Sequence, residues 1–293
     1  IWIDKKEMVK TEVQAPSVTT KLSVWPKGRR FQEWLASRND LQDAEKERDK
    51  GGARGSRVHK AVEDMMYGDT YGFVAYADKF FYGDQEAATH EWQRVASFKH
   101  WYEDQDRPTI ITRRNVVPAI ECELYSWQYN YGGTTDAVYT GGKFGSMRVM
   151  VDYKTSVSIY DSFWAQLSAY FWAWHEMEED KIDAIAALQL SCGADGSPKY
   201  TFKLIDNKHV IKEYFDDFLA CSRLWKRHRE YEKLSTNERT LHAIQPFLSI
   251  GKLAERPVKL QEAWDIPNNA TITALQKYKY KPVEKKITSI DVL

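Results

Sequence analysis

The chain has 293 residues and a mass of 34.2 kDa, and its 42 Lys and Arg balance 42 Asp and Glu. Any contact with nucleic acid must then come from local basic patches, not from a global field. A content of 43% hydrophobic and 14% aromatic residues excludes a disordered chain and predicts one large domain with extensions. Three scattered cysteines, Cys122, Cys192 and Cys221, form no Cys-x-x-Cys pair, which argues against a zinc ribbon, an iron-sulfur cluster or a disulfide framework. With no apolar run of membrane length and no signal-peptide pattern, a soluble intracellular protein is expected, cytoplasmic or, if a targeting segment has been removed, organellar.

In chain order, residues 1–26 read as an N-terminal extension in which Ala15 to Thr20 form a short extended segment lying across the core. Residues 31–37 have helical spacing, and residues 40–50 read as a charged helix ending at Gly51 and Gly52. A new helix of about three turns is expected from an N-cap at Ser56 to Gly68 as its C′ residue. His59 and Glu63 share a face of that helix, and Arg54 and Arg57 precede or open it, where they could meet a phosphate at its N-terminus. Residues 85–102 form a further helix with Ala88, Trp92, Val95, Ala96 and Trp101 inward. Residues 116–125 alternate as a strand with Ile120, Cys122 and Leu124 on one face and Glu121 and Glu123 on the other. The glutamates face either a site on the neighbouring strand or solvent.

The next stretch organises the chain. Residues 134–140 and 149–155 have strand composition, and Gly141 to Ser146 between them is a turn signal, so the two form a β-hairpin. The two-residue period puts Asp152 and Lys154 on one face and Val151 and Tyr153 on the other. If the turn is symmetric about Phe144, Asp136 lies directly across from Asp152, with Cβ atoms roughly 4.5 to 5.5 Å apart. Two carboxylates about 5 Å apart repel by about 3 kcal/mol at an effective dielectric near 20. A divalent cation between them meets that cost, and hard oxygen donors favour Mg²⁺ or Mn²⁺ over zinc.

Beyond the hairpin, residues 161–178 read as an amphipathic helix with Phe163, Leu167, Phe171 and Trp174 clustered and Gln166 and Tyr170 on its flank. Trp164, Trp172 and Trp174 are expected to pack in the core. Strands follow at residues 184–191 and 200–205, then a long helix at 210–233, another helix candidate at 239–250 and a basic tail over 251–293. In that tail Lys277, Tyr278, Lys279 and Tyr280 alternate, either adding a strand or presenting stacking rings with phosphate-neutralising charges.

Taken together, Gly55-Ser-Arg-Val-His59, Gly133-Thr-Thr-Asp136, Asp152-Tyr-Lys-Thr155 and Gln166-Leu-Ser-Ala-Tyr170 resemble the ordered signature of the RecB-type branch of the PD-(D/E)xK nuclease superfamily. The segment Ala15 to Thr20 is similar to an N-terminal element of related single-chain exonucleases, such as the mitochondrial genome maintenance exonuclease and phage recombination exonucleases. The resemblance implies an α/β fold with a restriction-endonuclease-like core, a central mixed β-sheet flanked by helices, occupying residues 27–250 with helical insertions. It implies metal ligation by His59, Asp136, Asp152 and the carbonyl of Tyr153, with Lys154 catalytic and Gln166 and Tyr170 on the scissile phosphate or supporting the lysine; Glu63, which has no counterpart in these motifs, and Glu121, from its strand face, are candidates for an outer ring.

The activity so implied is Mg²⁺- or Mn²⁺-dependent exonucleolytic hydrolysis of DNA that is single-stranded or carries a free end, in recombination, repair or replication. A recombination or replication protein is a possible partner. A structure-specific or restriction-like endonuclease and a non-catalytic DNA-binding module are the alternatives. The chain departs from helicase-associated relatives in having neither four cluster cysteines nor a Walker-A phosphate loop, so neither an iron-sulfur cluster nor a nucleotide is expected.

Overall fold

The computed structural model describes residues 2–3, 10–11, 15–69, 72–113 and 117–233, and every statement below concerns these. The elements are β1 (Trp2–Ile3), β2 (Lys10–Thr11), α1 (Val18–Lys21), α2 (Arg29–Ala36), α3 (Leu41–Met66), α4 (Phe73–Phe81), α5 (Gln85–Asp104), β3 (Thr109–Ile110), β4 (Thr112–Arg113), β5 (Val117–Pro118), β6 (Ile120–Ser126), β7 (Tyr131–Thr140), β8 (Val149–Lys154), α6 (Asp161–Met177), β9 (Ala184–Cys192), β10 (Pro198–Ile205) and α7 (Lys208–Lys233). The chain divides after Lys226, and the sheet with α1 to α6 and α7 as far as Lys226 lies within the first unit. The helix candidate at 239–250 and the Lys-Tyr run at 277–281 lie outside the described residues.

The fold is α/β, with a mixed sheet in the order β10-β9-β8-β7-β3 and with β6 also paired to β7. β7 and β8 are antiparallel, β8 and β9 are parallel through the α6 crossover, and β9 and β10 are antiparallel again. The strand period sorts the side chains into two cores. Val138, Met150, Ile185 and Ala187 pack with Leu167 and Trp174 of α6 and Phe215 and Phe218 of α7. Tyr139, Val151, Tyr153 and Leu188 pack on the opposite face with Val58 and Val62 of α3 and Val95, Phe98 and Trp101 of α5. Full burial of a side chain such as Leu167 contributes about 1.5–3 kcal/mol, so truncating it to Ala would cost about 2–5 kcal/mol with the cavity included.

Several local expectations are corrected. Glycine at 51, 52 and 55 predicts a helix break, yet α3 runs unbroken for 26 residues from its N-cap Asp40, whose Oδ1 accepts from Asp43 N at 2.8 Å. Each glycine costs about 1 kcal/mol relative to Ala, and the buried stripe of Val58, Ala61 and Val62 offsets it. Gly55 also lets the helix approach Thr155, whose Oγ1 would lie 3.4 Å from an added Cβ. Ser56 is therefore mid-helix, its hydroxyl donating back to Gly52 O at 3.2 Å. At the far end, Gly68 with φ +102 does take the left-handed C′ position.

Ala15 to Thr20 is extended only as far as Ser17, which bridges Gly132 in parallel, after which Ser17 caps α1. On α5, Trp92 and Ala96 are half-buried, and Phe98 takes the inward position instead. α6 is buried around most of its circumference, because α7 covers the side turned from the sheet: the rings of Trp172 and Phe215 lie 5.3 Å apart, and those of Trp164 and Tyr214 6.4 Å. No described helix is long and apolar enough to cross a membrane.

Candidate functional site

The hairpin turn sets the site. β7 and β8 pair as Tyr139↔Val149, Val138↔Met150 and Ala137↔Val151. One further step in this register, centred on Phe144, sets Asp136 opposite Asp152. On the other edge of β7, Ile120↔Ala137 and Cys122↔Thr135 bracket Glu121 against Asp136. Glu121, Asp136 and Asp152 thus form one cross-strand row over β6, β7 and β8.

The ladders break at this row. The backbone N–H of Tyr153 donates to Asp136 Oδ2 at 2.5 Å, so a side chain takes a bond that a strand would otherwise accept. Glu121 has φ +45, a left-handed backbone that is strained for a residue with a Cβ. Strain of this sort persists where surrounding structure enforces it, and it clusters at functional positions.

Helices complete the site from two sides. From α3, His59 sets Nδ1 3.2 Å from Asp136 Oδ1, and its ring meets Tyr153 edge-on at 5.8 Å. Tyr153 is held in turn by a 2.5 Å hydroxyl contact with Tyr139. From α6, the Gln166 amide reaches both charged partners on β8: its Oε1 accepts from Lys154 Nζ at 3.1 Å and its Nε2 lies 3.4 Å from Asp152 Oδ1. Gln166 Nε2 also donates to Tyr170 Oη at 3.1 Å, and Lys154 Nζ forms a 2.5 Å ion pair with Asp152 Oδ2. The Tyr170 ring lies where a side chain on Gly133 would point, only 2.5 Å from an added Cβ, which explains a glycine in the middle of β7.

The electrostatics are unbalanced toward the negative. Burial opposes charge on Asp136, yet His59, Lys154 and the Tyr153 N–H together hold its pKa below the usual value. Burial raises that of Asp152, with Lys154 opposing the rise and Asp136 adding to it. Burial, and next the charge of Asp136, push Glu121 up to about 7, with His59 opposing. For His59, burial works against the imidazolium, but Asp136 and Asp152 outweigh it and raise its pKa to about 9.

Metal-ligating atoms of His59, Glu121 and Asp136 lie within 4.8 Å of one another. An imidazole with two carboxylates, in a row carrying a third, is a donor set that fits a hard divalent cation. The sequence expectation grouped Asp152 with His59 and Asp136. In the fold Glu121 stands in that group, while Asp152 adjoins it and is engaged by Lys154 and Gln166. Tyr153 enters through its N–H and its ring. Glu63, one turn from His59, pairs with Lys60 at 2.9 Å.

The arginines serve differently from expectation. Because α3 starts at Leu41, Arg54 and Arg57 are not at a helix N-terminus. Arg57 makes a bidentate pair with Glu91 of α5 at 2.7 and 2.8 Å, and Tyr76 Oη donates to the same carboxylate at 2.6 Å. Arg54 lines a cavity with Arg94. Lys277, Tyr278, Lys279 and Tyr280 lie outside the described residues. Sequence reading missed Glu91 and Arg94, and the only signal for Glu91 was a charge on the apolar side of α5.

No protein-family model matches the chain. No curated protein matches it either. Among solved structures, one described as the crystal structure of SSO0001 is similar over 58% of this chain and 87% of its own, at 11% identity and a TM-score of 0.25.

Proposed function

We propose that this protein is a Mg²⁺- or Mn²⁺-dependent deoxyribonuclease that hydrolyses DNA phosphodiesters from a free end, in recombination, repair or replication. The observation that carries the reading is the row of Glu121, Asp136 and Asp152 across three strands, with the Lys154 ammonium held beside it by Asp152 and Gln166. Such a row concentrates more negative charge than His59 and Lys154 offset, which is the demand a divalent cation meets. His59, Glu121 and Asp136 would hold the ion, with Asp152 adjoining. When bound, it supplies Lewis-acid polarisation of the phosphate and a lowered pKa for an attacking water.

The chain's own groups do the rest. Lys154 presents an N–H donor and a full positive charge where charge develops on a phosphoryl oxygen in the transition state. Gln166 fixes the lysine's direction by accepting from it, and Tyr170 fixes Gln166. The Tyr170 ring is seated against Gly133, so the aim of the lysine traces back to a glycine in β7.

The test is a time course on 5′- and 3′-labelled single- and double-stranded DNA, with Mg²⁺, with Mn²⁺ and with EDTA. Metal-dependent shortening from one end is expected, lost in Asp152→Ala and Lys154→Ala variants that keep their circular dichroism. Full activity in either variant would sink the assignment. Cutting of a covalently closed circle would make the enzyme an endonuclease.

A further inference from the structure

A second cluster of charge lies away from the carboxylate row. A cavity of about 470 Å³ opens between α3, α5 and the turn after β9, lined by Arg54, His90, Glu91, Arg94, Cys192 and Gly193. Both Arg54 and Arg94 line it, and their Nε atoms are buried without a hydrogen-bond partner among the described residues. The carboxylate on the cavity wall does not answer them, since Glu91 accepts from both Arg57 nitrogens and from Tyr76. Arg94 spends one N–H on its own helix, Nη1 to His90 O at 2.9 Å.

Two guanidinium groups that stay charged at all working pH values and line one cavity repel each other, and an anion that joins them relieves the cost. Burial, and next the neighbouring Arg54, lower the pKa of Arg94 against the opposing pull of Cys192, Glu91 and Tyr76. Guanidinium forks match the oxygens of a phosphate in a bidentate way. The volume is that of a small-molecule site, roomy enough for a phosphate with an attached sugar.

We propose that the Arg54–Arg94 cavity binds a phosphate group. Its place suits a strand that also reaches the carboxylate row. β8 and β9 run parallel with Lys154 level with Gln189, and Cys192 is three residues further on, roughly 10 Å along the strand. The cavity thus opens beyond the carboxyl ends of the parallel strands, where open α/β sheets take ligands. The phosphate could belong to a nucleic-acid strand or to free phosphate or a mononucleotide. Only the first source rests on the function proposed above.

The experiment uses the full chain and its Arg54→Gln and Arg94→Gln variants. Thermal unfolding is followed in potassium phosphate against potassium chloride of equal ionic strength, without divalent metal. Phosphate is expected to raise the Tm of the wild type by about 2 °C or more beyond the rise in both variants, which report only the general stabilisation by a kosmotropic anion. Each variant relieves the repulsion between the guanidinium groups, so both should fold; Arg54→Lys, keeping charge without the fork, should show a weakened response. A wild type indifferent to phosphate, or variants that respond as the wild type does, would overturn the site.

A second arm measures binding of a single-stranded oligonucleotide in EDTA over a range of salt. A slope of log affinity against log salt that is shallower by about 0.7 in a variant assigns the phosphate to a strand. An unchanged slope beside a lost phosphate response assigns it to free phosphate or a mononucleotide. Neither arm depends on cleavage, so failure of the nuclease reading would appear separately, as no product in the labelled-DNA time course.

Discussion

Asp136 accepts the backbone N–H of Tyr153 at 2.5 Å while its other oxygen faces His59 at 3.2 Å, so one carboxylate both closes a strand ladder and belongs to the metal-capable group. The two roles separate on substitution. Asp136→Asn loses the charge paired with His59 but retains an acceptor for Tyr153, whereas Asp136→Ala also orphans a buried N–H and should cost about 1–3 kcal/mol more than Asn. Both should lose at least about 100-fold in cleavage if the carboxylate serves the chemistry. Urea unfolding and the labelled-DNA assay read the two effects apart, and equal stability of the Asn and Ala variants would refute the ladder role.

Gly133 gives a prediction about remote control of Lys154. A methyl at this position would lie 2.5 Å from Tyr170 Cε1, so Gly133→Ala must displace the ring that fixes Gln166. Overpacking of this kind costs about 1–3 kcal/mol. Adding Tyr170→Ala makes room for the methyl, so the double variant should be less destabilised than the sum of the single variants. Strictly additive losses in denaturant midpoints would mean that the glycine is present for another reason.

The hairpin was legible because its information is local: a six-residue turn signal fixes the pivot, and the pivot fixes which residues of β7 and β8 face each other. Glu121 was only half legible. Alternation placed it off the apolar face, but its φ of +45 and its closeness to His59 depend on how β6 meets β7 and α3. The continuity of α3 was hidden because glycine propensity is a weak local preference that burial of Val58, Ala61 and Val62 overrides. The Arg57–Glu91 pair spans 34 positions, and nothing in either neighbourhood announces the other. α1 escaped because four residues are too few to show a period.

The Lys154–Asp152 pair is nearly shielded from water, with side chains 15% and 4% exposed. Removing the lysine alone leaves a buried carboxylate without its cation, so Lys154→Met should cost about 3–5 kcal/mol. The double variant Lys154→Met with Asp152→Asn removes both charges and should recover most of that loss. Neither variant should cleave DNA. A double-mutant cycle by urea unfolding checks the coupling, and a double variant no more stable than Lys154→Met would show that the ion pair is not what the lysine contributes.

His59 supplies a pH dependence for the metal-free protein. Its folded-state pKa of about 9 lies above the ordinary 6.5, because Asp136 and Asp152 outweigh the burial that disfavours its charge. The protonated imidazole therefore stabilises the fold fully below pH 6.5; that contribution declines as pH rises and is gone above about pH 9. Glu121 titrates in the same region, near 7, so the comparison must be with His59→Gln, which keeps the carboxylates and removes the imidazole. In EDTA, the stability difference between the two proteins should shrink across that window. Bound Mg²⁺ or Mn²⁺ requires neutral imidazole, so adding either ion at pH 7.5 should release protons in the wild type and fewer in the variant. Parallel stability curves from pH 6 to 10 would remove His59 from the coupled cluster.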